Sequence, residues 1–162
     1  MKHTETQAFL EEGYTHYPKS YRAVEAFTAL VQDRLERCID AARFRGMKTN
    51  LERRRTRKSG GSAEQGTWIY VSPNYNRGKA KVLLEVGLWW DCPDLDAPMI
   101  AYLGGLQNKT RFPIADYKPK DKRLRCDSLT GKPYLYVPLA QGHDPFEAIG
   151  WLLAEVEPAI AD

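Results

Sequence analysis

At 162 residues, with 43% hydrophobic and 28% charged side chains, the chain has the make-up of one ordinary globular domain long enough to bury a core. Its longest apolar runs, such as residues 82–84 and 151–154, are far too short to cross a bilayer, so no membrane association is expected. The net charge of +3 hides a segregated distribution: residues 43–58 hold eight basic side chains against Glu52 (+7), residues 109–125 seven against Asp116 and Asp121 (+5), and the remainder carries 3 − 12 = −9.

Residues 1–18 show no strong periodicity and no charged-then-apolar leader pattern, which suggests an intracellular, cytoplasmic protein. The spacing predicts a first helix over residues 19–45. Val24, Phe27, Leu30, Val31, Leu35, Cys38, Ile39 and Ala42 recur every three or four positions as one apolar stripe, and Gly46 supplies a stop. Residues 47–66 then lose all apolar period. A run of like charge followed by Gly60-Gly61-Ser62 reads as a long mobile basic loop, the kind of connection that is often functional.

Strands follow. Residues 67–72 form the first, and 73–78 read as a turn. Residues 80–91, AKVLLEVGLWWD, alternate strictly and predict the central strand. CPDLDAP at 92–98 is a turn, 99–103 a strand, 111–115 a short strand, and 124–128 with 134–139 a hairpin joined by the turn Leu129-Thr130-Gly131-Lys132-Pro133. A last helix is expected from Pro145 to Ile160, with Asp144 as its cap and Pro145 at its first position. The fold class is therefore α+β: an antiparallel five- to six-stranded meander flanked by an N-terminal and a C-terminal helix on one face, in a single domain spanning 1–162.

Alternation assigns Ile69, Val71, Val82, Leu84, Val86, Leu88, Leu135, Val137 and Leu139 to the face beneath the helices. The other face then carries Trp68, Tyr70, Trp89, Tyr102, Tyr134 and Tyr136 around Glu85. Large, stiff rings with a polar handle are enriched where proteins bind. Gly87 leaves a gap between Glu85 and Trp89 that would admit a partner's side chain or mark a bulge. The bland alternative is that the N-terminal segment or residues 107–122 seal this face, since strands favour aromatics whatever they do.

Chemistry-bearing motifs are sparse. His3, His16 and His143 are scattered, and Glu85 and Asp91 lie about 20 Å apart at strand rise, too far for a glycosidase pair. Cys38, Cys92 and Cys126 form no CxxC and read as free thiols of a reducing compartment. No GxSxG, phosphate-binding loop or HExxH occurs.

The expected function is that of a small non-enzymatic binding protein of the inhibitor, immunity or adaptor kind, without cofactor or metal. A protein partner would meet the six rings, steered by Arg53, Arg54, Arg55, Arg57 and Lys58 and by Lys118, Lys120 and Lys122. Phosphate contact by the same basic residues defines an alternative, a nucleic-acid-binding accessory protein. A metal-dependent hydrolase or nuclease using Glu85 is the other.

Overall fold

The computed structural model describes residues 14–42, 48–52, 67–77, 80–105 and 114–161. In chain order they form helix α1 (Tyr14–Ala41), strands β1 (Lys48–Glu52), β2 (Thr67–Arg77), β3 (Ala80–Trp90) and β4 (Met99–Gly105), a 3₁₀ turn (Ile114–Asp116), strands β5 (Arg125–Leu129) and β6 (Lys132–Leu139), and helix α2 (Pro145–Ala161). The strands make one six-stranded sheet, antiparallel throughout, in the order β1-β2-β3-β4-β6-β5. This is the expected α+β arrangement. Four strands meander, and the last hairpin then docks by its second strand, which leaves β5 at the edge.

Several boundaries differ from expectation, each for a local reason. β2 does not end at Ser72 but continues to Arg77. Pro73 lacks an N–H, so the pairing with β3 skips from Val71↔Val86 to Asn74↔Leu83 and then resumes in the same register. The strand tolerates that hole because β1 pairs along its other side, Leu51 against Pro73. β1 itself falls inside the stretch expected to be loop. KTNLE has no apolar alternation, and an edge strand with one neighbour needs only its backbone groups. Ile114 and Ala115 belong to a 3₁₀ turn instead of a strand, while 111–113 lie outside the described residues.

α1 begins at Tyr14, earlier than expected, and carries Pro18 inside it. Contacts divide the chain into two units, Met1–Asp33 and Arg34–Asp162. Val31, Leu35 and Ile39, spaced by four, are buried, whereas Phe27 and Leu30 are 50% and 60% exposed. The buried stripe is thus shorter than drawn: Phe27 stands one turn before Val31 on the same i, i+4 line and is exposed, and Leu30 lies beside that line. Within the second unit, the end of α1 meets the start of α2. Cys38 Sγ donates to the Phe146 carbonyl at 3.7 Å, and the Arg34 guanidinium stands 5.1 Å from the Phe146 ring centre.

α2 starts where the cap requires. Asp144 Oδ1 accepts the Phe146 N–H at 2.9 Å, with Pro145 at the first helical position. Its Ala148, Ile149, Leu152, Leu153 and Val156 are buried, and it packs on β3, β4 and β6. All nine residues assigned to the helix-side face are buried as expected. The expected hairpin is present, but its turn is tighter than the five residues 129–133: Leu129 pairs with Lys132, and Thr130 and Gly131 both have positive φ, 48° and 79°, as a two-residue primed turn demands.

Candidate functional site

The register brings the six predicted rings to one side of the sheet. Trp68 is opposite Trp89, Tyr70 opposite Gly87, Gly87 opposite Tyr102, Tyr102 opposite Tyr136, and Gly104 opposite Tyr134. They form a chain of edge-on contacts: Trp68–Trp89 at 5.5 Å, Trp89–Tyr134 at 5.7 Å, Trp89–Tyr102 at 6.0 Å and Tyr102–Tyr134 at 5.4 Å between ring centres. The sheet side opposite α2 is therefore a second core. Trp89 is 4% exposed, Tyr102 1% and Tyr136 2%; Tyr70 is also buried, and only Trp68 and Tyr134 remain half-buried.

Among the described residues, the cover comes from the segment between β3 and β4, where the sequence marks only a turn. Cys92 is buried in the ring cluster, with Leu95 and Ala97 packed against it, and Leu129 closes the cluster from the hairpin. Nor does Gly87 leave a gap. A Cβ there would lie 2.5 Å from the Ile69 carbonyl oxygen and 2.7 Å from Tyr70 Cβ, so Gly87 permits close approach of β2. Gly104 is filled likewise by the Tyr134 ring, 2.9 Å from where its Cβ would stand.

The polar groups of this layer are mostly satisfied internally. Tyr102 donates its hydroxyl to Glu85 Oε1 at 2.7 Å, and Tyr136 donates to Asp127 Oδ2 at 2.9 Å. Burial, then the Glu85 charge, raises the Tyr102 hydroxyl well above the usual tyrosine range. Burial and Glu85 push Tyr134 up to about 12; burial and the Asp127 hydrogen bond do the same for Tyr136. Ser72 Oγ is buried beside the gap that Pro73 makes and has no hydrogen-bond partner among the described residues.

The basic residues are placed elsewhere. Arg53, Arg54, Arg55, Arg57 and Lys58 lie outside the described residues. Lys118, Lys120 and Lys122 are all exposed and alternate with Tyr117, Pro119 and Asp121, which turn inward. Their support is Glu155 on α2. One carboxylate accepts the Tyr117 hydroxyl at 2.7 Å and the N–H groups of Lys120 and Asp121 at 2.7 and 3.2 Å. Burial works against this charge, but those three donors outweigh it and hold the Glu155 carboxyl below its usual range. Arg123 extends the support, stacked 3.8 Å from the Trp151 ring centre and bonded to both Asp121 oxygens.

Glu155 and Trp151 belong to α2, so the lysine row sits on the helix side while the rings point to the other. Among the described residues, the rings and the lysine row of the expected contact surface lie on opposite sides of the sheet. Sequence reasoning missed Glu155 and Tyr117 entirely, because nothing local marks a carboxylate that captures a loop 34 to 38 residues away.

Among the described residues no three His, Cys, Asp or Glu side chains are grouped to hold a metal, and no helix is long and apolar enough to cross a membrane. Cys38, Cys92 and Cys126 are free thiols. Compared with models of protein families, with curated proteins and with solved structures, the chain matches none of them.

Proposed function

We propose that this is a non-enzymatic binding protein of the inhibitor or adaptor kind whose row of Lys118, Lys120 and Lys122 docks on an acidic protein surface. The observation that carries this reading is the clamp under that row. Three exposed ammonium groups stand on a segment whose backbone is tied to Glu155, so little ordering entropy is spent when a partner binds. Charge of one sign on a rigid edge steers encounter and sets orientation. Trp68 and Tyr134, the half-buried rings, are secondary contacts at the rim of the other face. Glu85, hydrogen-bonded to a buried tyrosine, braces the sheet in this reading and activates no water. A reducing, cytoplasmic location belongs to the same proposal, supported by three unpaired thiols.

The test is retention of partners from native extract by the full chain and by Lys118→Glu/Lys120→Glu/Lys122→Glu, with and without nuclease. The expected result is a nuclease-resistant polypeptide whose affinity falls at least about tenfold in the variant. Retention that nuclease abolishes, with binding to labelled oligonucleotides that weakens steeply with salt, would replace the protein partner by nucleic acid. Equal retention by both proteins would remove the lysine row from the function.

A further inference from the structure

The segment that seals the aromatic layer is built unlike anything else in the sheet. Residues 91–98 leave β3 and return to β4 through a narrow neck, where the Asp91 N–H donates to the Pro98 carbonyl at 3.3 Å. Asp91 takes a φ of 52°, in the left-handed region that costs a non-glycine residue conformational energy. Inside the loop the Leu95 N–H donates to the Cys92 carbonyl at 3.2 Å, and Cys92, Leu95 and Ala97 point at the rings while Pro93, Asp94 and Asp96 stay exposed. At its far end the Asp94 carboxylate accepts the backbone N–H of Thr130 in the β5–β6 turn. Thr130 is itself at φ 48°, unfavourable for a β-branched residue.

A strap with closed ends, three small apolar contacts and one charged latch is held far less firmly than the paired strands beneath it. We propose that residues 91–98 form a lid that opens as a unit, about the Asp91 hinge and by release of the Asp94–Thr130 latch, to uncover Trp89, Tyr102, Tyr134 and Tyr136 while the sheet stays folded. Such a lid converts a sealed core into an aromatic surface without unfolding the molecule. The opening is a property of the strap alone. Only its use for docking would rest on the binding reading above, and the test is made with no partner present.

Cys92 supplies the reporter, since its thiol is buried in the ring cluster and becomes reachable only when the strap lifts. The reduced full-length protein is alkylated with iodoacetamide across a guanidinium series, and the peptide holding Cys92 is followed by mass spectrometry, so that Cys38 and Cys126 do not interfere. Global unfolding is followed in parallel by circular dichroism. The lid predicts labelling of Cys92 whose denaturant slope is under about half that of global unfolding, because little surface is exposed. Asp94→Ala should accelerate it about tenfold, as loss of a charged hydrogen bond would, with its shallow denaturant slope unchanged; global stability should fall by no more than the same factor, because the unfolded chain lacks the latch too. Asp94→Asn, which keeps an acceptor, should stay within about twofold of the natural protein. A slope equal to that of global unfolding would overturn the proposal. So would an Asp94→Ala rate within about twofold of the natural one, since the latch would then hold nothing.

Discussion

At Gly87 a hydrogen in place of a methyl decides how closely β2 lies against β3. The neighbours a Cβ would strike are the Ile69 carbonyl and the Tyr70 backbone and Cβ, none of which swings aside. Gly104 offers an instructive contrast, because there the obstacle is the ring of Tyr134, a half-buried side chain that has room to turn. Gly87→Ala should therefore destabilise by about 2–3 kcal/mol, and Gly104→Ala by roughly 1 kcal/mol or less, on the usual scale for overpacking. Chemical denaturation of the two variants checks this. Equal losses would mean that the Tyr134 ring is as immovable as backbone. The ring residues follow the same logic. Truncating Trp89 or Tyr136 removes core, so a loss of binding on such a change would report unfolding and not a contact.

Helix α2 does two unrelated jobs with its two sides. Ile149, Leu153 and Val156 roof the sheet, while Trp151 and Glu155 hold the 117–123 segment. Glu155→Ala strands two backbone N–H groups, while the Tyr117 hydroxyl keeps the backbone carbonyl of residue 155 at 3.2 Å, so the cost is about 1–2 kcal/mol for a partly exposed cluster. Trypsin should then cut at Lys120 and Lys122 well before it cuts elsewhere among the described residues. The pH dependence has a definite sign. The folded Glu155 carboxyl lies below its usual value of 4.5, so its contribution is present above that value and fades as pH falls through the folded one. The acid-side loss of stability should be shallower in Glu155→Ala than in the natural protein. If the variant keeps both the natural acid limb and the natural proteolysis pattern, the clamp is not what orders the loop.

Within the second unit the sheet is covered on one side by α2 and on the other by the 91–98 strap, which makes its alkaline behaviour distinctive. Tyr134 and Tyr136 are raised to about 12 from an ordinary value of 10, and Tyr102 is raised well above that ordinary value too. Folding keeps these hydroxyls protonated, so their effect on stability is nil below pH 10 and becomes a loss as pH climbs from there towards 12. Ultraviolet titration should show these three ionising together with cooperative unfolding; ionisation at the ordinary value without unfolding would contradict the second core.

Local pattern alone reveals the α+β class, the faces of β3, the cap of α2 and the presence of the β5–β6 hairpin. Each rests on a local period or a fixed backbone preference that neighbours in the chain reveal. It also placed the six rings on one face, through alternation alone. What lies over that face is a tertiary matter. CPDLDAP reads as a turn, and only the fold shows it laid back on the rings with Asp94 reaching Thr130. The partnership of Glu155 with the lysine segment is likewise long-range, and the opposite placement of rings and lysines follows from which side α2 covers. Period sees which way a side chain points, but burial depends on what the rest of the chain brings to that side.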